Sequence, residues 1–525
     1  MTAEQPLEPI ALTTPLYYVN AMPHIGSAYP TMAADALARF YRLRGNPMLF
    51  VTGTDEHGQK IQDSATKQGR QPQEHCDLIV AEFQNLWQKL NISYDRFSRT
   101  TNPRHESIVR EFFDRVYQAD DIYLDRQQGW YCVACEEFKE ERELLPDHHC
   151  PIHKSACDWR DEPNYFFRLS KYQDRLEQLY RDHPDFIQPE IRRNEVLGFV
   201  KQGLRDFSIS RVNVDWGFPV PTDPSHTLYV WFDALLGYVT GLLEPNDEPT
   251  LANAIKTWFP FKLHIIGKDI LRFHAVYWPA MLMSADLPLP AKVFGHGFLT
   301  KDGHKMGKSL GNTIDPFDLV DRYGADAIRY YFLKEIEFGR DGDFNEERFI
   351  NTVNADLANS LGNLLSRSIG MAVKYCQKQV PAPTTNKLAD LTQPIVDMAS
   401  DLGDRTSLAY EQLAFRQVCE QILTLVWSCN KLIDETAPWL LFKDGKHEEI
   451  SETLYVVLEA TRLSAYLLWP IIPTISQKIY QQLGFELDSQ SLPPWQQHTA
   501  WGSLAPQTRL TKPKPVFQRL ELATR

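Results

Sequence analysis

Apolar and polar positions alternate in blocks along the first sixty residues. The apolar run IALTTPLYYV (10–19) is followed by GSAYPTMAADALARFYRLRG (26–45), where small and apolar residues recur at helical spacing. A second apolar run, PMLFVTGTDEHG (47–58), comes next, and Gly45 sits where the intervening helix should stop. Apolar strands that end in loops rich in Gly, Asp and His predict βαβ units of a doubly wound parallel sheet. Two further helices are expected over 72–90 and 103–118, around the short strand DRFSRTT. The pattern breaks near residue 120. Residues 121–165 are rich in Cys, His, Asp and Glu, carry little periodicity and read as an insertion. Sheet-like runs resume with LYVWFDALLGYV (228–239), FKLHIIG (261–267) and AKVFGHGF (291–298). The Gly- and Lys-rich loop LTKDGHKMGKSLGN (299–312) follows, and helical periodicity dominates from about 345 to 480, interrupted by QVPAPTTNK (379–387).

The expected fold is therefore α/β. A doubly wound, Rossmann-type sheet has its first half at 1–118, an insertion at 119–222 and its second half at 223–298. A loop and connecting region (299–345), an α-helical domain (346–480) and a surface-wrapping tail (481–525) complete the division. Ligands of such sheets bind beyond the carboxyl ends of the strands, where the Gly/Asp/His loops lie.

Composition narrows the class. Hydrophobic residues make up 43% of the 525 and charged residues 23%, the balance of a soluble globular protein. The longest apolar stretch, LYVVLEATRLSAYLLWPIIPTI, contains Glu459 and Arg462 and is broken by prolines, so it fits a buried bundle helix better than a membrane span. The acidic start MTAEQPLEP has no basic or apolar signal region, which makes a cytoplasmic enzyme with no membrane partner the expectation. A net charge of -13 argues against indiscriminate nucleic-acid binding, although the stretches 190–211 and 508–525 are locally basic. Eight cysteines are too few for a disulfide scaffold, yet four of them, Cys132, Cys135, Cys150 and Cys157, fall within 26 residues.

Three constellations carry chemistry. HIGS, with His24, Gly26 and Ser27, opens a helix directly after a strand, where backbone amides, an imidazole and a hydroxyl suit a phosphate. KMGKS, with Lys305, Met306, Lys308 and Ser309, places two lysines three apart on a Gly-flanked loop, a mobile clamp for phosphate oxygens. Third, Cys132-x2-Cys135 and Cys150-x2-His153 supply four ligands for one tetrahedral, structural zinc ion, and His148, His149 and Cys157 are set aside as rival ligands. Among the remaining residues, Asp55 at the mouth of the second strand and His274 stand out as candidates for binding a small substrate.

HIGS and KMGKS, about 280 residues apart, resemble the paired nucleotide-binding motifs of class I aminoacyl-tRNA synthetases, usually HIGH and KMSKS. TTPLYYVNAMPHIG, FVTGTDEHGQKI, YVWFDALLGY, HIIGKDILRFHAVYWPAML and DETAPW resemble methionyl-tRNA synthetases in particular, from about residue 10 to residue 475. The resemblance implies ATP, L-methionine and tRNA(Met), initiator and elongator, as partners, with Mg²⁺ accompanying ATP. It implies that His24, Lys305 and Lys308 are catalytic, and that Gly26, Ser27, Lys268, Met306 and Ser309 join them in binding ATP. Asp55 would take the methionine ammonium, and Leu16, Tyr18, Arg211, Trp231, Ala234, Leu235, Tyr238, Ile270 and His274 would surround the amino acid. Asn363, Arg367 and Trp439 would read the CAU anticodon on the helical domain, and zinc knuckles of this kind occur in the family's insertion. Two positions depart from the family motifs: Ser27 replaces the second His of HIGH, and Gly307 the first Ser of KMSKS. The lack of an appended tRNA-binding module after residue 525 points to a monomer. A synthetase for another amino acid, such as cysteine or leucine, is the nearest rival. A small-molecule nucleotidylyltransferase and a non-catalytic RNA-binding paralogue are the others.

Overall fold

The computed structural model describes residues 7–133, 135–139, 141–152, 154–306, 312–382, 386–485 and 494–521, with only the backbone of Lys305. Six parallel strands form the central sheet: β1 (Ile10–Tyr18), β2 (Met48–Asp55), β3 (Arg96–Arg99), β4 (Ile187–Gln188), β5 (Leu263–Gly267) and β6 (Val293–His296). Their order is β3-β2-β1-β5-β6-β4, so the winding reverses between β1 and β5. A crevice opens at such a reversal, beyond the carboxyl ends of the strands. Every residue of β2 and β5 is buried, as continuous apolar runs in a two-sided parallel sheet require. Helix α1 (Ile25–Leu43) links β1 to β2 and is buried on nearly all sides.

Within 119–222 the chain divides in two. A four-stranded antiparallel sheet of Ile122–Cys132, Glu137–Lys139, Asp158–Phe167 and Phe207–Ser208 forms the insertion proper. Residues 187–188 instead return to the main sheet as its edge strand β4, followed by the helix Glu190–Val200. Two residues are too short a strand to leave a periodic signal. The run 228–239 is a correction as well: it forms two short helices, Val230–Ala234 and Leu236–Thr240, instead of a strand. Both lie in the core, and a segment apolar on every side carries no period to distinguish helix from strand.

Beyond the sheet, α2 (Ala325–Glu335) leads to a bundle containing α3 (Asn363–Tyr375), α4 (Phe415–Thr436) and α5 (His447–Leu468). Helix α5 is the long apolar stretch, buried throughout its central turns. Its Glu459 and Arg462 are fully buried and paired at 2.8 Å. Glu459 also accepts the N–H groups of Gly502, Ser503 and Leu504 at 2.9–3.0 Å, fixing the tail to the bundle. No helix among the described residues is long and apolar enough to cross a membrane.

Sheet and bundle share one apolar core. Phe40 of α1 stacks on Tyr410 at 4.8 Å and meets Trp495 edge-on at 5.2 Å. Arg329 of α2, fully buried, pairs with Asp35 of α1 at 2.6 Å and donates to the carbonyls of Pro470 and Ile471 at 2.9 Å.

Candidate active site

At the end of β1 the chain turns through VNAMPH into α1, and His24 is the N-cap. Its Nδ1 accepts the Gly26 N–H at 3.0 Å. A ring that accepts at Nδ1 carries its proton on Nε2, which makes the outer edge of this exposed imidazole a donor. Gly26 is required by the cap itself: a Cβ there would lie 2.9 Å from both Nδ1 and Cε1 of His24. From beneath, the Tyr17 hydroxyl donates to the Ser27 carbonyl at 3.0 Å and lies 2.7 Å from Thr31 Oγ1, tying the helix start to β1. Ser27 is only 6% exposed, so it packs under the first turn and leaves the open anion surface to His24 and the helix amides.

The second motif leaves the same end of the sheet. After β6, strand Leu299–Lys301 turns into His304–Lys305 and pairs in parallel with Gly342–Phe344. Met306 is half-buried against the main core. Gly307, Lys308 and Ser309 fall outside the described residues. Lys268, just past β5, pairs with Asp341 at 2.7 Å and lies 4.4 Å from the Phe298 ring centroid.

Asp55 ends β2 opposite Tyr18. It is 4% exposed, and its Oδ1 has no hydrogen-bond partner. The carboxylates around it do have partners. Glu56 takes Arg99 through two bonds at 2.7 and 2.8 Å, and Asp233 lies between His57 (2.5 Å) and His105 (2.6 Å). Burial, reinforced by Asp233 and Glu136, pushes the Asp55 carboxyl well above the usual carboxylate range. Burial works against the Asp233 charge too, but the two imidazoles hold its carboxyl down at about 2. An ionised acid next to a desolvated one whose Oδ1 is left bare is an arrangement that waits for a cation.

Asp55 also lines a small cavity with Pro15, Leu16, Trp231, Ala234, Leu235, Tyr238, Ile270 and His274. Its volume is ≈ 10 Å³, room for about one water molecule. The expected amino-acid residues converge here, apart from Tyr18 at the rim and Arg211. Arg211 is buried in the insertion, 4.2 Å from the Tyr229 ring centroid and donating to Ser208 Oγ and the Ser210 carbonyl. At the floor of the cavity, His274 Nδ1 donates to the Ile270 carbonyl at 3.0 Å, which leaves Nε2 to accept from the Tyr238 hydroxyl at 2.7 Å. Burial lowers the His274 imidazole to about 4 and holds that of His264 well below its ordinary value, so the floor is uncharged at neutral pH. An uncharged, aromatic floor suits an apolar, polarisable side chain and penalises a charged one.

Pro15 and the His57–Asp233–His105 bridge are absent from the sequence-based site. The bridge's two bonds join residues 176 and 128 apart in the chain, and only the fold brings them together.

In the insertion, the sulfurs of Cys132, Cys135 and Cys150 all lie within 4.8 Å of one another, with Cys135 and Cys150 3.6 Å apart and no disulfide among them. Tetrahedral zinc with Zn–S near 2.3 Å would hold its sulfurs about 3.8 Å apart, so the three thiols fit one ion. His153 lies outside the described residues. Cys157 is buried in the same cluster, and its thiol is pushed up to about 11, chiefly by burial. The other rivals are engaged elsewhere: His148 stacks on Trp130 at 3.7 Å, and His149 Nδ1 donates to the Asp147 carbonyl.

On the bundle, Asn363 and Arg367 stand one turn apart on α3, and Trp439 is 41% exposed just past α4. Arg367 pairs with Asp434 of α4 at 2.6 Å. Asn363 also borders a groove of ≈ 430 Å³ between α3 and Pro515–Phe517 of the tail.

A reversal-point crevice with a histidine-capped helix at one side, a lysine hairpin after the sixth strand and a small aromatic cavity closed by a buried carboxyl defines a class I aminoacyl-tRNA synthetase. Residues 10–156 and 141–369 match the family described as tRNA synthetases class I (M), and residues 382–525 match the anticodon binding domain of methionyl tRNA ligase. The chain is 63% identical over 520 residues to a methionine–tRNA ligase of Synechocystis sp., covering 98% of both proteins. It is 52% identical to a chloroplastic/mitochondrial methionine–tRNA ligase of Arabidopsis thaliana, over 98% of this chain and 83% of that one. Mycobacterium tuberculosis methionyl-tRNA synthetase in complex with methionyl-adenylate superimposes with a TM-score of 0.92 at 40% identity, over 98% of this chain and 100% of that one. The chain belongs to the methionyl-tRNA synthetase family.

Proposed function

We propose that the protein activates L-methionine with ATP, forming methionyl-adenylate and diphosphate, and then transfers methionine to tRNA(Met) with release of AMP. The observation that carries this reading is the unpartnered Asp55 Oδ1 at the mouth of a neutral aromatic pocket, at the same sheet end as the His24-capped helix. Asp55 fixes the ammonium, and the pocket takes the thioether. The methionine carboxylate then attacks the α-phosphate of ATP, which arrives as its Mg²⁺ complex. Catalysis requires positioning and charge stabilisation without a protein nucleophile. His24 Nε2–H and the amides of α1 hold phosphate oxygens. Gly26 and Ser27 shape that helix start, while Lys268, Lys305, Met306, Lys308 and Ser309 bring the second motif over the triphosphate as charge develops.

The adenylate is then attacked by the terminal adenosine of tRNA. Asn363, Arg367 and Trp439 recognise the anticodon by edge hydrogen bonds and stacking on the exposed indole. Cys132, Cys135, Cys150 and His153 would hold one zinc ion that fastens the insertion and takes no part in the reaction. We assign the protein to the cytoplasm as a monomer.

Methionine-dependent ATP–pyrophosphate exchange tests this reading. Wild type should exchange with methionine and not with cysteine or leucine, and Lys305→Ala should be strongly impaired. Wild-type exchange no faster than that of Lys305→Ala would overturn it and favour an RNA-binding paralogue. Ser27→His then measures how far the departure from HIGH limits the rate.

A further inference from the structure

The cysteine-bearing insertion reaches into the amino-acid end of the site through one side chain. Glu136 follows Cys135 directly, yet it is 5% exposed and turns away from the thiols. Its Oε2 lies 2.5 Å from the Tyr18 hydroxyl, which is also 3.0 Å from the His57 carbonyl oxygen. Its Oε1 accepts the Lys60 N–H at 3.0 Å. Tyr18 ends β1 beside Asp55, and residues 56–58 are the turn that carries the chain from Asp55 into the helix Gln59–Lys67, so one carboxylate clasps both sides of the ammonium site.

A second observation indicates that the fold reserves this space. Gly58 has φ +101°, and a Cβ there would lie 2.6 Å from Glu136 Oε1 and 2.8 Å from the Tyr18 hydroxyl. The opposite face of the loop is gripped by the segment that closes the insertion: Gly58 N–H donates to the Trp216 carbonyl at 2.9 Å, and Trp216 Nε1 donates to the Glu56 carbonyl at 2.5 Å. The insertion thus grips the Asp55 loop from two sides, and Glu136 is the only one of these contacts that also holds Tyr18.

We propose that Glu136 is a positioning residue for methionine: it sets the Tyr18 ring and the Asp55–Lys60 segment, and so couples the insertion to amino-acid affinity. This rests on the reading of the Asp55 pocket as the methionine site. A group that preorganises one substrate's pocket acts on that substrate's binding and leaves the other substrate alone.

The test is steady-state ATP–pyrophosphate exchange with methionine and ATP varied separately, together with zinc content per chain. Glu136→Ala should raise the KM for methionine about tenfold, the scale of a lost buried hydrogen-bond pair, with the KM for ATP and the zinc content unchanged. Glu136→Gln, which keeps an acceptor for Lys60, should recover part of the loss. Combining Glu136→Ala with Tyr18→Phe should cost less than the sum of the two. Gly58→Ala displaces Glu136 without touching the cysteine loop and should give the same methionine-specific defect. The role is overturned if Gly58→Ala and Glu136→Gln both keep a wild-type KM for methionine, or if ATP and methionine suffer equally. Asp55→Asn separates the two levels: if it too leaves the KM for methionine unchanged, the pocket assignment itself fails. If Asp55→Asn alone raises the KM, only the Glu136 role falls.

Discussion

A single methyl group tests how His24 is used. In Gly26→Ala the new Cβ would sit 2.9 Å from two atoms of the His24 ring, closer than carbon contacts allow, and the main chain of the helix start is held by Tyr17. The ring must therefore swing out, which breaks the 3.0 Å bond from Gly26 N–H to Nδ1. Losing the cap costs about 0.5–2 kcal/mol of stability, a small loss for a chain of this size. The kinetic loss should be larger: with Nδ1 no longer an acceptor, the tautomer and direction of Nε2–H are released, and one donor to the developing phosphate charge is lost. Such a loss lowers the rate roughly a hundredfold to a thousandfold. Methionine-dependent ATP–pyrophosphate exchange reads the rate, and tryptophan fluorescence on adding methionine reads the amino-acid end, which should be unaffected. Gly26→Ala combined with His24→Ala should be no worse than His24→Ala alone. An exchange rate within about threefold of wild type would show that His24 does not stabilise the phosphates.

Asp55→Asn should strongly weaken methionine binding and remove the pH dependence that accompanies it. In the free protein the Asp55 carboxyl is held above its usual range, and an ammonium requires it ionised. Wild-type affinity for methionine should therefore weaken as pH falls through that raised value and level off above it, and the Asn variant, followed by calorimetry, should show no such slope. Glu459→Ala strands a buried Arg462 and three tail N–H groups, and should cost about 3–5 kcal/mol in denaturant unfolding, whereas Glu459→Leu with Arg462→Met should cost less than the single change. Cys135→Ala, or a strong chelator, should release about one zinc ion per chain and remove hydrogen-exchange protection over 122–167 while leaving α4 and α5 protected.

The βαβ order of residues 10–60, the helix start at His24 and the helical half were legible because each leaves a period or a turn signal. The segment 228–239 was not: its residues are apolar on every side, so its two short helices read as a strand. The π-turns at Phe273–Tyr277, which carries His274, and Asn354–Gly362, ahead of Asn363, left no trace either, because one extra residue per turn barely alters a hydrophobic stripe. In the site, Asp55 could be chosen from its place at a strand end. Glu136 could not, because its described acidic neighbours Glu141 and Glu143 are exposed and Glu137 partly so, and only the fold turns Glu136 inward.

The shared core has a consequence for truncation. Phe40 belongs to the helix that His24 caps, yet it stacks on Tyr410 and meets Trp495 edge-on, and Arg329 closes the same junction with ties to Asp35 and to the end of the bundle. Removing residues 346–525 would strip Phe40 of Tyr410 and Trp495 and leave Arg329 without two of its four acceptors, the carbonyls of Pro470 and Ile471. The helical half therefore cannot be cut away without exposing the helix that His24 caps, and a fragment ending near residue 345 should be less stable than the same segment in the whole chain.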